Sequence, residues 1–362
     1  MDINELIRSA QARRASDVHI VRGLPVRVRV DGRLENLNDT VLTHEDCEAI
    51  ARELCGDRYE SIRTTGELDF ARTFDGDIRC RLNVFRQQGS PSAAIRLLHN
   101  RIPELSALSL PDVVETFADF PRGIVIVTGE TGSGKSTTLA ALLDKINHTR
   151  PKHIITLEDP IEYVYHPDLC TVNQREIGVD TESYTTGLQA ILREDPDIIL
   201  VGEMRSLDTI ETALTAAETG HLVFATLHTN SAADTIDRII DVFPGEKQQQ
   251  IRVQLSMSLR AVLSQQLLPR RSGQGRIAAC EVMIPNAAIR NLIREGKTPQ
   301  INNTLATSAA EGNITMDNCL LRLARTGVIS TETAVLAAHD ADFVRRSLGV
   351  GISGSVNRMV TR

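Results

Sequence analysis

The stretch GETGSGKS (129–136) limits the fold of this chain more than any other feature. It fits G-x-x-x-x-G-K-[S/T] at every fixed position, after an apolar β-branched run (124–127) and before a helical pattern (137–146). A strand, a glycine-rich loop and a helix in that order form the phosphate cradle of an α/β protein. The glycines let the backbone curl until successive N–H groups point inward, and the helix N-terminus adds partial positive charge. Gly129, Thr131, Gly132, Ser133, Gly134, Lys135, Ser136 and Thr137 are the expected nucleotide-binding residues. Lys135 is expected to reach the β- and γ-phosphates of ATP, and the Ser136 hydroxyl to ligate Mg2+. A chance glycine-rich turn would not meet the whole motif in this context.

The remaining pattern agrees with a mainly parallel sheet. From Pro111 onward, short apolar runs (124–127, 154–157, 198–201 and 222–227) alternate with helical segments, as strands buried on both faces require. One helix carries start and stop signals: Ser206 as N-cap, Asp208 in the first turn, a buried stripe of Ile210, Ala213, Leu214 and Ala217, and Gly220 at the end. Residues 247–268 and 286–295 also read as helices.

Residues 1–100 read as a separate, smaller α+β domain. Ile3, Leu6, Ile7 and Ala10 stand at helical spacing, and VRVRV (26–30) alternates into an Asp31-Gly32 turn. A second hairpin turns at Asp75-Gly76. Its return strand puts Ile78, Cys80, Leu82 and Val84 on one face and Arg79, Arg81 and Asn83 on the other. A further strand (93–98) carries Arg96. Residues 101–111 are the expected linker and 112–346 the second domain. The segment 347–362, which contains Gly and Ser, is expected to be disordered.

Composition narrows the function. The net charge of -7, the absence of Trp and an aromatic content of 3% argue against a nucleic-acid partner. No run approaches the ~20 apolar residues that span a bilayer, and the first residues lack a signal-peptide core, so a cytosolic chain without a membrane span is expected. The cysteines, Cys47, Cys55, Cys80, Cys170, Cys280 and Cys319, form no C-x-x-C pair and read as structural thiols.

Beyond the loop, REDPDIILVGEMR (193–205) ends an apolar strand at Gly202 and Glu203. A carboxylate at the carboxyl end of such a strand can orient and deprotonate the attacking water. Gly202 fills the position where a metal-binding Asp is usual, so acidic help for Mg2+ must come from elsewhere. TLEDPIEY (156–163) offers Glu158 and Asp159, also at a strand end, as metal-binding and catalytic candidates; a helix-capping Asp is the plain alternative. His221 and His228 flank the run 222–227. Either could donate to the γ-phosphate or the water, or be purely structural.

Four blocks, GETGSGKST (129–137), TLEDPIEY (156–163), REDPDIILVGEMR (193–205) and TGHLVFATLHTN (219–230), stand in that order along the chain and together resemble the secretion-superfamily ATPases, and within them the pilus retraction ATPase (PilT) family. ASDVHI (15–20), ALTAAETGH (213–221), DRIIDVFP (237–244) and AIRNLIREGK (288–297) extend the resemblance over most of the chain. The cysteine spacing excludes the four-cysteine zinc element of extension and type II secretion relatives. The resemblance implies a PAS-like α+β N-terminal domain, then a RecA-like P-loop ATPase domain with a helical C-terminal part. It implies a homohexamer that hydrolyses ATP with Mg2+ and disassembles pili, driving retraction and twitching motility. Its partner would be the cytoplasmic part of the pilus inner-membrane platform protein, which places it in the cytoplasm at the pilus base. It also implies that N-domain arginines reach a neighbour's phosphates, with Arg79, Arg81 and Arg96 as candidates and Arg81 and Arg96 preferred. A type IVB secretion-type ATPase and a nucleotide-gated ring with little hydrolysis are the alternatives.

Overall fold

Alternating apolar and polar side chains build the first sheet. The computed structural model describes residues 2–349 except 31, 77, 99 and 100. Six strands, β1 (Asp17–Ile20), β2 (Pro25–Val30), β3 (Arg33–Val41), β4 (Glu67–Phe74), β5 (Ile78–Gln87) and β6 (Ser90–Leu97), pair in the order β3-β2-β1-β6-β5-β4. Neighbouring strands run antiparallel throughout this sheet. Burial alternates along β5 as its sequence requires: Ile78, Cys80, Leu82 and Val84 are buried and the arginines between them are not. Three helices, α1 (Ile3–Ala12), α2 (His44–Cys55) and α3 (Tyr59–Thr65), belong to this unit. Ile3, Leu6, Ile7 and Ala10 are the buried residues of α1, and they share one core with Ile50, Leu54, Leu82 and Ile95. Of the Asp31-Gly32 turn, Asp31 lies outside the described residues, as do residues 350–362 of the expected tail.

Seven strands form the second sheet: β7 (Gly123–Thr128), β8 (His153–Glu158), β9 (Thr171–Glu176), β10 (Ile198–Val201), β11 (Leu222–Leu227), β12 (Leu259–Pro269) and β13 (Arg276–Met283). Their order is β13-β12-β7-β11-β10-β8-β9. The five from β12 to β8 pair with one another in parallel, and β13 turns back against β12. Every residue of β7, β10 and β11 is buried, which explains why those runs are apolar throughout rather than alternating.

The helices of this unit are α4 (Lys135–Thr149), α5 (Tyr184–Ile191), α6 (Leu207–Thr219), α7 (Ala232–Asp241), α8 (Gly245–Ser258), α9 (Ala287–Glu295), α10 (Ile301–Thr307), α11 (Met316–Arg325), α12 (Thr331–Ala337) and α13 (Ala341–Ser347). The expected start of α6 is present: the Ser206 hydroxyl accepts from Thr209 N, and Gly220 ends the helix. One reading fails. Residues 247–268 are not a single helix, because α8 stops at Ser258 and the rest is strand β12. Its long apolar stretch fills a slot between β7 and β13, a pairing that local spacing cannot announce.

The chain divides into two compact units, Met1–Ile102 with Glu158–His166, and Pro103–Leu157 with Pro167–Arg362. The acidic segment Glu158–His166, read from sequence as part of the second domain, therefore groups with the first.

Candidate active site

Parallel pairing brings the carboxyl ends of β7, β11 and β10 to one edge, where open α/β sheets bind ligands. The glycine loop leaves β7 there and runs into α4. Its glycines are sterically required. Gly129 has φ +139°, and a Cβ on it would lie 2.2 Å from the Gln265 carbonyl oxygen and 2.7 Å from Ser133 Oγ. Gly134 has φ +93°, and a Cβ would lie 2.8 Å from Gln265 Nε2. Gly132, at φ +81°, has open space around it and needs glycine for its backbone conformation alone.

No side chain caps the start of α4, and its first turn holds no acidic residue. A helix end of that kind attracts anions. Lys135 is 8% exposed. Its ammonium donates to the carbonyls of Gly129 at 2.8 Å and Glu130 at 3.0 Å, so the charge is held inside the loop. Ser136, in the first turn, is exposed.

Two more predicted residues converge on this lysine. His228 follows the last residue of β11, with Nδ1 3.5 Å from Lys135 Nζ and Nε2 3.2 Å from Glu203 Oε1. An ammonium only donates, so Nδ1 accepts and Nε2 carries the proton offered to Glu203. Arg205 Nε lies 2.7 Å from the same carboxylate oxygen. Burial pushes the Glu203 carboxyl up, but its contacts with Arg205 and His228 outweigh that and hold it below the ordinary glutamate range. Lys135, His228, Glu203 and Arg205 thus form one connected line. His221 does not take part. It sits at the opposite end of β11, where Nδ1 lies 2.9 Å from the Ala216 carbonyl at the close of α6.

Three supports were not foreseen from sequence. Gln265 of β12 is 3% exposed and accepts from the Thr138 hydroxyl at 2.9 Å, which ties α4 to the sheet. Thr128 Oγ1, at the end of β7, accepts from Thr229 N at 2.8 Å and so fixes the backbone just after His228. Arg205 closes the line. The only local hint for Gln265 is a pair of glutamines inside an apolar run.

The first unit gathers the predicted arginines. Register across its sheet sets Arg29 opposite Asp17, Asp17 opposite Arg96, and Arg96 opposite Arg81. Arg96 Nε lies 3.1 Å from Asp17 Oδ1, and Arg81 grips the Asp69 carboxylate at 3.2 and 2.6 Å. The hydrogen bond that Arg81 donates to Asp69 raises the Arg81 pKa, assisted by the charges of Asp69, Asp159 and Glu162. Arg79 Nε donates to the Ile161 carbonyl at 3.2 Å. Glu158 is the last residue of β8. The acidic segment that follows therefore lies by these arginines. Among the described residues, no three His, Cys, Asp or Glu side chains gather as a metal cluster.

Comparison with known proteins agrees with this geometry. The family model described as type II/IV secretion system protein matches residues 1–304. The type IV pilus retraction ATPase PilT of Pseudomonas aeruginosa is 48% identical over 92% of this chain and 97% of its own. A twitching motility protein of Neisseria gonorrhoeae is 43% identical over 94% of this chain and 91% of its own. The crystal structure of the pilus retraction motor PilT with bound ADP superposes with a TM-score of 0.90 at 46% identity, covering 96% of this chain and 99% of that one. A phosphate loop, a Lys–His–Glu line beside it and this degree of identity lead to one conclusion: the chain belongs to the type II/IV secretion system proteins, in the branch of the pilus retraction ATPases.

Proposed function

We propose that this chain is the ATP-hydrolysing motor of pilus retraction, a homohexameric ring in the cytoplasm that engages the cytoplasmic part of the pilus inner-membrane platform protein. The observation that carries the proposal is the continuous line from Lys135 through His228 to Glu203 beside the phosphate loop. A nucleotide-gated ring with little hydrolysis would have no need for it. No helix among the described residues is long and apolar enough to cross a membrane.

In this reading the loop N–H groups and Lys135 bind the β- and γ-phosphates of ATP. Glu203, held ionised, orients the attacking water and accepts its proton. His228 links the base to Lys135, so both respond to the same phosphate. The exposed Ser136 hydroxyl, with Glu158 and Asp159 as acidic help, suits Mg2+, which prefers few protein ligands beside water and substrate phosphates. When bound, that ion neutralises phosphate charge. Arg81 and Arg96 serve a neighbouring subunit. Arg96 is 67% exposed at its side chain, enough to leave Asp17 for a stronger anion.

Cells deleted for this chain test the proposal. Twitching zones should be restored by the wild-type chain and not by Glu203→Gln. Full twitching in the deletion strain, or rescue by Glu203→Gln, would contradict it.

A further inference from the structure

One row of residues crosses four strands of the second sheet. Register sets Leu227 opposite Thr128, Thr128 opposite Ser264, and Ser264 opposite Glu281, so the four stand side by side on β11, β7, β12 and β13. Leu227 ends β11, and the chain leaves it through His228. The segment that follows is fastened to the row one strand at a time. Thr128 Oγ1 accepts from Thr229 N at 2.8 Å, Ser264 Oγ donates to the Asn230 carbonyl at 2.8 Å, and Glu281 Oε1 accepts from Ala232 N at 2.7 Å. Ala232 is the first residue of α7.

Glu281 is the unusual member. It is 2% exposed, inside the otherwise apolar run IAACEVM (277–283). A carboxylate buried there is costly unless its oxygens are hydrogen-bonded. Both are. Oε2 accepts from Met316 N, the first residue of α11, at 3.3 Å. The two backbone partners can only donate, and an ionised carboxylate accepts at both oxygens. A glutamine of the same shape would turn its amide N–H2 against one of them. The position therefore calls for glutamate, and the same side chain ties the start of α11 to the segment that carries His228.

We propose that Glu281 and Ser264 are positioning residues for ATP hydrolysis, which fix the path of residues 229–232 and so set where His228 stands between Lys135 and Glu203. The inference rests on the reading of that line as the hydrolytic site. Ser264 and Glu281 act on backbone groups past His228, while His228 must keep Nδ1 3.5 Å from Lys135 Nζ and Nε2 3.2 Å from Glu203 Oε1. Hydrogen bonds of that length have little slack. A displacement of about 1 Å caused away from the chemistry can cost ~10²-fold in rate.

Steady-state phosphate release by the full chain tests the inference. Glu281→Gln should lower kcat about 10–100-fold. It should leave KM for ATP within about twofold, since the loop groups that bind the phosphates are untouched. In a His228→Ala background the same change should cost less than about twofold more, because the group it positions is gone. A general loosening of the fold would lower the rate by the same factor in both backgrounds, and that result overturns the positioning role. So does a wild-type kcat in Glu281→Gln. Should Glu281→Gln melt well below the wild type, Ser264→Ala, which removes only a hydroxyl, carries the test by the same criteria. The two levels separate cleanly: a His228→Ala variant with the wild-type rate refutes the Lys–His–Glu reading itself, whereas a slow His228→Ala with a full further loss from Glu281→Gln refutes only the role of the row.

Discussion

The hydrogen bond between Thr138 and Gln265 makes a quantitative test of how the phosphate loop is held. Thr138 is 1% exposed and Gln265 3%, and the hydroxyl donates to the amide oxygen at 2.9 Å. Thr138→Val keeps the volume but leaves that oxygen buried and unpaired. Gln265→Met keeps the length but strands the hydroxyl. Each orphaned group should cost about 1–3 kcal/mol. For a domain of this size that corresponds to a melting point roughly 3–9 °C lower. The double variant removes both polar groups, so it should lose clearly less than the two single losses added, with a coupling of about 0.5–3 kcal/mol. Calorimetry on the three variants and the wild type measures this cycle. Phosphate release should fall in both single variants, because α4 carries Lys135 at its start. Losses that add to within about 0.5 kcal/mol would refute the claim that these side chains act as a pair.

Three further outcomes follow from the structure. Arg205 favours the ionised form of Glu203, and the base works only when ionised. Arg205→Ala should therefore move the acidic limb of the kcat/KM profile to higher pH, and no shift would contradict the pairing. All six cysteines are buried free thiols, and burial pushes Cys80 up to about 12 and Cys55 up to about 11. An aromatic disulfide reagent at pH 8 should thus react only after denaturant is added; prompt reaction in the native protein would count against that burial. Finally, mixing Arg81→Ala with Lys135→Ala subunits should recover some turnover, since one orientation of the mixed interface pairs an intact finger with an intact lysine. No recovery in rings confirmed as mixed by mass measurement would rule out a finger supplied in trans.

What the sequence made legible was local. The caps at Ser206 and Gly220 are short-range hydrogen-bond and φ requirements, so the limits of α6 could be read directly. The alternation of β5 is a period-two pattern set by one buried face. The glycine loop is a motif with steric causes. The misread segment 259–268 had no such signal. No Gly or Pro separates it from α8, and the strand exists because β7 and β13 flank it. The same non-local pairing carries Gln265 to the loop, so a residue important for positioning looked like one polar interruption in an apolar run. His221 and His228 looked equivalent because both flank one strand; only the direction of that strand assigns one to a helix end and the other to Lys135 and Glu203.

The central claim is that Glu203, linked through His228 to the phosphate loop, is the base for ATP hydrolysis. Steady-state phosphate release from Glu203→Gln, Glu158→Gln and Asp159→Asn, side by side with the wild type, tests it most directly. Glu203→Gln should lose roughly 10²–10⁴-fold in turnover while still binding ATP, and the other two should lose less. A Glu203→Gln variant that turns over near the wild-type rate, or a larger loss in either acidic-segment variant, would contradict the account.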